Sequence, residues 1–199
     1  AMGKGDALVA RFEMAALNSA VSDAEVQTLV AAALLQSGQP DRAEAAIARA
    51  LKRVPRHAAA QLEAVRLQAQ RGDRASALSA VNALLETNPA FAHAWMLKGD
   101  LLYRAEGGDV AQVVHAYSMA VAKQADLLPA HVALINLLFE QKDFNAAGAA
   151  VDAMRRALPG QPQVAYFDAL LALHKGQTQR ALEIAQQMLR GANGHLGLL

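Results

Sequence analysis

An all-α solenoid of antiparallel helix pairs is the fold this sequence predicts, and three sets of markers with one spacing predict it. Pro55 and Pro89 keep a spacing of 34, as do Gly38 and Gly72. Gly176 follows Lys142 at the same spacing, and Lys142 occupies the matching turn in a run without glycine. Ala43, Ala77, Ala147 and Ala181 follow those turns at separations of 34, 70 and 34, with Val113 in the intervening slot. Independent markers that keep one period of this length are the signature of a repeat array.

Each marker has a physical reason. Glycine ends a helix in the left-handed conformation without steric cost. A small residue is needed where the second helix of a pair crosses closest to the first, because a larger one would push them apart. Proline cannot continue a helix interior but fits the first turn of the next helix. The unit is therefore helix, tight turn, helix, proline-marked turn.

Read in order, Ala1–Gly3 resembles an expression scar rather than a signal peptide, and residues 1–4 form a flank. A lone helix over about 5–20 reads as the second helix of a truncated repeat. Five repeats follow, at 22–56, 57–89, 90–126, 127–160 and 161–190, all belonging to one array that runs through residues 1–199. Their helices are expected near 24–37 and 40–53, 57–71 and 74–87, 90–105 and 109–124, 127–141 and 144–157, and 162–175 and 178–190. Ser22 with Glu25 three residues on predicts a capping box. Asn88–Pro89 suits a cap and first turn, and Asp126 suits a cap. The third unit is longer, since the spacing from Pro89 to Pro129 is 40. The extra residues fall at Gly107–Gly108 and Lys123–Leu128 and read as a tolerated loop insertion. Residues 191–199 read as the start of a further truncated repeat, with Gly191, Gly194 and Gly197 marking a breaker-rich stretch. The apolar ending predicts an exposed end open to self-association, since solenoids need polar terminal caps.

Composition narrows the function. Hydrophobic residues make up 54% of the 199-residue chain but aromatics only 5%, so much of the apolar share is alanine. That suits thin helices packed in layers. The net charge of +1 lacks the basic balance of a nucleic-acid binder. The small clusters Lys52, Arg53, Arg56 and Arg71, Arg74 read as solvated helix ends. With no cysteine, disulfides, thiolate metal sites and a cysteine nucleophile are excluded. No run of about 18 apolar residues exists for a transmembrane helix.

Nothing points to catalysis or to a cofactor. The six histidines form no His-Glu-x-x-His spacing, and His93 and His131 are isolated imidazoles, a weak metal signal. There is no Gly-rich phosphate loop after a strand and no Gly-x-Ser-x-Gly. The reading is a non-enzyme without a metal site.

These marks resemble the tetratricopeptide repeat (TPR). The nearest unit is Trp95-Met96-Leu97-Lys98-Gly99 with Tyr117 and Ala120 on the second helix. Other units match at Gly38, Ala43, Ile47, Ala50 and Pro55; at Gly72, Ala77 and Pro89; at Leu134, Ala147, Val151 and Pro159; and at Gly176 and Ala181. Lys98 departs from the family leucine, and Gln27 and Gln61 stand where Trp95 stands. The resemblance covers about residues 5–190. It implies a right-handed superhelix whose first helices line a concave, protein-binding groove. The runs Trp95–Leu102 and Ala169–Gly176 further resemble the large TPR lipoproteins of bacterial exosortase (PEP-CTERM) systems, which accompany exopolysaccharide-linked protein sorting. That narrower resemblance implies an exported, lipid-anchored protein of the periplasm or outer membrane. Without it the compartment stays open, with the cytoplasm as the other reading.

Helix periodicity assigns the groove stripe. It holds Leu62, Glu63, Arg66 and Gln70 in the second repeat, and Met96, Asp100, Tyr103 and Arg104 in the third. In the fourth it holds Val132, Asn136 and Phe139, and in the fifth Tyr166, Phe167, Leu170 and His174. The aromatics and arginines among them are the residue types that dominate interfaces. Trp95 reads as core. Asn136 falls where a carboxylate-clamping TPR domain places an asparagine, but Val132, Gln163 and Phe167 stand where such a clamp wants basic groups. The expected partner is therefore a mixed apolar and polar peptide or protein surface. A structural spacer, a carbohydrate-binding solenoid presenting Tyr103 and Tyr166, and a nucleic-acid-binding helical repeat are the alternatives.

Overall fold

The computed structural model describes Phe12 and residues 19–105 and 109–196; the expected lone helix at 5–20 lies outside them apart from Phe12, Ser19 and Ala20, the last two opening the next helix, and the Gly107–Gly108 turn lies outside them. Among the described residues there are ten α-helices and no strand. The chain divides into two compact units, Ala1–Gly108 and Asp109–Leu199. The first holds α1 (Ala20–Gln36), α2 (Pro40–Arg53), α3 (Ala58–Gln70), α4 (Arg74–Thr87) and α5 (Ala92–Tyr103). The second holds α6 (Val110–Lys123), α7 (Leu128–Glu140), α8 (Phe144–Ala157), α9 (Pro162–His174) and α10 (Thr178–Leu196). Within each unit every helix packs on the next, and in the first α1 also touches α3, and α3 touches α5.

The turns between paired helices share one construction. After α1, Gly38 donates to the Leu35 carbonyl and Gln39 to the Leu34 carbonyl, five residues back. After α3 the same bonds run from Gly72 to Ala69 and from Asp73 to Gln68; after α9, from Gly176 to Leu173 and from Gln177 to Ala172. This closure needs a left-handed residue, and Gly38, Gly72 and Gly176 have φ of +70°, +88° and +72°. An added Cβ there would meet no atom within 4 Å, so the demand is on the backbone and not on space. Lys142 takes the same place after α7 at φ 58°, alone among the described non-glycine residues, and Asp143 donates back to Leu138. After α3 and α7 the next residue caps the following helix, Asp73 and Asp143 accepting from the Ser76 and Ala146 amides, and Asp109 caps α6 by accepting from the Ala111 amide.

The turns from one pair to the next are also alike, and they correct the reading of proline. His57 donates to Val54, Phe91 to Asn88, Leu127 to Gln124 and Gln161 to Leu158. Pro55, Pro89 and Pro159 therefore sit second in a β-turn, where their fixed φ suits the bend, rather than in the next helix. Asn88 closes the end of α4 by donating to Leu84, and α5 starts only at Ala92. Ser22 does not cap α1; its amide donates to Ser19, the true cap, 3.4 Å away. Asp126 does not cap α7, which begins after Leu127 with no side-chain cap, Leu127 being buried as an apolar anchor. Nor do Gly191 and Gly194 break α10, which runs on to Leu196.

One position shows how the repeat tolerates drift. The Trp95 indole donates to the Pro89 carbonyl at 2.9 Å. Gln61 donates its amide to the Pro55 carbonyl at 3.2 Å, and His131 Nε2 lies 2.8 Å from the Ala125 carbonyl. A carbonyl only accepts, so His131 carries its proton on Nε2. Three unlike side chains thus tie helix and turn together in the same way. His131 is 1% exposed and belongs to the core, not to a metal site.

The core is a chain of small clusters. Val30, Ala31, Leu34 and Leu35 of α1 meet Ala43, Ala46 and Ile47 of α2 and Leu67 of α3. Leu62 and Val65 of α3 meet Val81, Leu84 and Leu85 of α4 and Ala94, Leu97 and Leu101 of α5, with Trp95 against them. Ala43, Ala77 and Ala147 are fully buried where the paired helices cross, and Val113 and Ala181 nearly so.

Two substitutions test this construction. Replacing Ala77 by Leu overpacks the α3–α4 crossing and is expected to cost about 1–3 kcal/mol, while Leu at exposed Ala75 stays within about 0.5 kcal/mol, read by urea denaturation. Lys142→Gly relieves a left-handed lysine and is expected to gain about 0.5–1 kcal/mol, seen as a higher Tm.

Candidate functional site

In the first unit the adjoining α1, α3 and α5 form the walls of a cleft of about 380 Å³. Its floor is apolar, from Leu35, Leu97 and Leu101, and its rim carries Gln36, Glu63, Arg66, Gln70, Arg74, Asp100 and Arg104. Acids and bases alternate here, so the cleft has no single sign of charge. Helical spacing explains the grouping, since Glu63, Arg66 and Gln70 share one face of α3 and Asp100 and Arg104 one face of α5. Arg74 reaches from the start of α4 and donates to the Arg104 carbonyl at 3.1 Å, satisfying an open carbonyl at the end of α5.

Glu63 and Arg66 are the electrostatic centre of the cleft. The Glu63 side chain is 12% exposed and pairs with Arg66 Nε at 3.4 Å. Burial raises the Glu63 pKa above the ordinary carboxylate value, and the Arg66 charge pulls the other way without cancelling it. Arg66 Nε is itself buried and makes no hydrogen bond. The cleft thus pairs a largely buried Glu63 carboxylate with an Arg66 side chain that is 39% exposed.

In the second unit the rings gather at one end of α7, α8 and α9. Phe139 stacks on Phe167 at 6.3 Å and meets Phe144 edge-on at 5.9 Å. His174 stacks on Phe144 at 4.0 Å and lies 5.5 Å from Phe139. Tyr166 meets Phe167 edge-on at 5.3 Å. The cluster runs from the core outward: Phe167 is 1% exposed and Tyr166 51%. Arg155 of α8 pins α9 nearby, donating to Asp168 at 2.6 Å and also to Asp152.

The residues expected from the sequence divide between these places. Arg66, Asp100 and Arg104 line the cleft. Met96 is half-buried and Tyr103 half-exposed, and both lie outside that lining. Phe139, Tyr166, Phe167 and His174 share the ring cluster, while Asn136 is exposed and Leu170 half-buried. Leu62 and Phe167 are corrections as contact residues. At 3% and 1% exposure they pack in the core and offer a partner no surface, because their stripe is the one turned toward neighbouring helices. Trp95 is half-buried against the core as expected. Phe144 and Arg74 were not anticipated. Each lies at the start of a second helix, just past its turn, where periodicity along the first helices gives no signal.

Among the described residues no three His, Asp or Glu side chains gather as a metal-holding group. None of the described helices is long and apolar enough to cross a membrane.

Comparison with known proteins identifies the fold. The tetratricopeptide-repeat family model matches residues 34–101. No curated protein matches the chain in sequence. Among solved structures, MamA is 16% identical at a TM-score of 0.65, over 84% of this chain and 96% of its own. TTC0263, a thermophilic TPR protein of Thermus thermophilus, is 21% identical at 0.61, over 88% of this chain and 94% of its own. YrrB, a TPR protein with an unusual peptide-binding site, is 17% identical at 0.56, over 96% and 93%. The chain has the tetratricopeptide-repeat fold, a fold that generally mediates binding to proteins and peptides.

Glu63 gives a signed prediction. Its raised pKa means the native state holds more proton than the unfolded chain between the ordinary carboxylate range and the raised value, so stability falls as pH rises through that window. Glu63→Gln removes this dependence. Urea denaturation at a series of pH values is expected to show a shallower fall for the variant than for the parent chain.

Proposed function

We propose that this chain is a non-catalytic interaction scaffold that holds a peptide or protein surface against its first-in-pair helices. The cleft over α1, α3 and α5 carries this reading. It combines an apolar floor, rim charges of both signs and a largely buried Glu63 carboxylate paired with a partly exposed Arg66. An extended peptide presents both donors and acceptors along its backbone and suits such a rim. Exposed Tyr166 and the rings behind it supply a second contact of interface type in the other unit. The setting we propose is a bacterial envelope system for exopolysaccharide-linked protein sorting, with the chain part of an exported lipoprotein. The runs Trp95–Leu102 and Ala169–Gly176 support it.

Crosslinking pull-down from source-cell extract tests both levels. The parent chain is compared with Arg66→Ala/Asp100→Ala/Arg104→Ala and with Phe139→Ala/Tyr166→Ala, each checked for equal helicity. A partner held by the parent and lost by the cleft variant supports the scaffold, and its identity decides the setting. A partner kept equally by both variants places binding elsewhere.

A further inference from the structure

We propose that the cavity where α8, α9 and the start of α10 meet is a docking site for carboxylate side chains, filled by an acidic segment of a partner protein. The site lies in the second unit and does not depend on the cleft of the first.

The cavity holds about 420 Å³, and Gly148, Arg155, Lys175, Gln177 and Arg180 are among the residues that line it. Its counterpart in the first unit shows what the fold places at such a corner. With the turn residues Gly38, Gly72, Lys142 and Gly176 as common origins, Lys175 takes the slot of Arg71, Asn145 that of Asp41 and Gly148 that of Glu44. Arg71 donates to Asp41 at 3.2 Å and to Glu44 at 2.8 Å, tying the end of α3 to α2. In the second unit the cation is kept and both carboxylates are gone. On the adjoining turn Gln177 stands where Asp73 stands, and Arg180 replaces the neutral Ser76. This corner is surface by construction, not a face awaiting the next helix. In the first unit, where α5 follows α4, the Arg71 and Glu44 side chains still keep 42% and 56% exposure.

The charges left in the cavity favour an anion. Asp152 and Asp168 also line it, but Arg155 holds both, the second at 2.6 Å. Lys175 and Arg180 are exposed, and among the described residues neither makes an ion pair. Gly148 is an independent mark. Glycine inside a helix is destabilising relative to alanine, and it suits places where another group must come close to the backbone. A Cβ at Gly148 would meet nothing within 4 Å, so packing among the described residues does not require the glycine. It leaves room over α8 for an incoming side chain. The fold's own precedent makes that side chain a carboxylate. Asp41 and Glu44 sit three residues apart on one helix and reach a single cation, so a partner helix with acids at that spacing reproduces the arrangement. The pairs are exposed and screened by salt, so the contact is weak, with Kd on the order of 100 μM.

The test is fluorescence anisotropy of a fluorescein-labelled peptide of repeated Asp-Ala-Ala-Glu, titrated with the full chain at low salt. Saturable binding is expected, with a matched Asn-Ala-Ala-Gln peptide left unbound. Lys175→Ala/Arg180→Ala is expected to weaken binding about tenfold, and both side chains are exposed, so the fold is not at risk. Gly148→Glu supplies the missing acid from within. It is expected to raise the Tm, through helix propensity and a pair with Lys175, and to weaken peptide binding at least as much as the double alanine change. No binding of the acidic peptide up to about 1 mM overturns the proposal. So does binding that either variant leaves unchanged. Tighter binding of oligothymidine than of the peptide, lost in the double alanine variant, also overturns it and assigns the site to phosphate.

Discussion

No helix from α2 to α9 exceeds 14 residues, and helices so short are marginal alone in water. Everything else in the structure depends on close contact where paired helices cross. The buried alanines at 43, 77 and 147 allow that contact. The turn before each of them must then reverse the chain within two or three residues, which only a left-handed residue with a bond reaching five residues back achieves. The common spacing of glycine and alanine in the sequence follows from this one geometric demand. Val113 meets it with a slightly larger side chain.

The second joint, between pairs, rests on a different requirement. It needs a bend, and at three of the four such turns a side-chain N–H is aimed at the turn carbonyl, with no one donor specified. Gln61, Trp95 and His131 all serve. That freedom makes the tryptophan slot look degraded in the sequence, although the bond it makes is kept. It also explains why a histidine that reads as a loose ligand candidate is a core residue: its Nε2 proton is already committed to Ala125.

The same layering separates core from site. One position around the helix separates buried Phe167 from exposed Tyr166, and buried Leu62 lies only about 40° from half-exposed Arg66, one turn on. A shift of one residue is about 100° on a helix, and a sequence stripe drawn two or three residues wide spans both fates. Periodicity placed Arg66, Asp100 and Arg104 on one stripe, and all three line the cleft. It could not tell them from Leu62, nor anticipate Arg74 or Phe144, which reach these places from second helices. The burial of Glu63, and with it the raised pKa, arises only when α1 and α5 close on α3.

By itself the sequence determined the helical class, the period and the left-handed turns, because these are set by interactions within a few residues of chain. It even marked the slot that Lys142 fills without the usual glycine. Tertiary structure decided which cap each helix uses, displacing Ser22, Asn88 and Asp126 from the roles their residue types suggest. It decided which apolar residues are covered and which, like Leu182 and Leu189, remain open. Those outcomes depend on what lies across a helix–helix gap, and a neighbour a whole repeat away in the chain leaves no local trace of how closely it will pack.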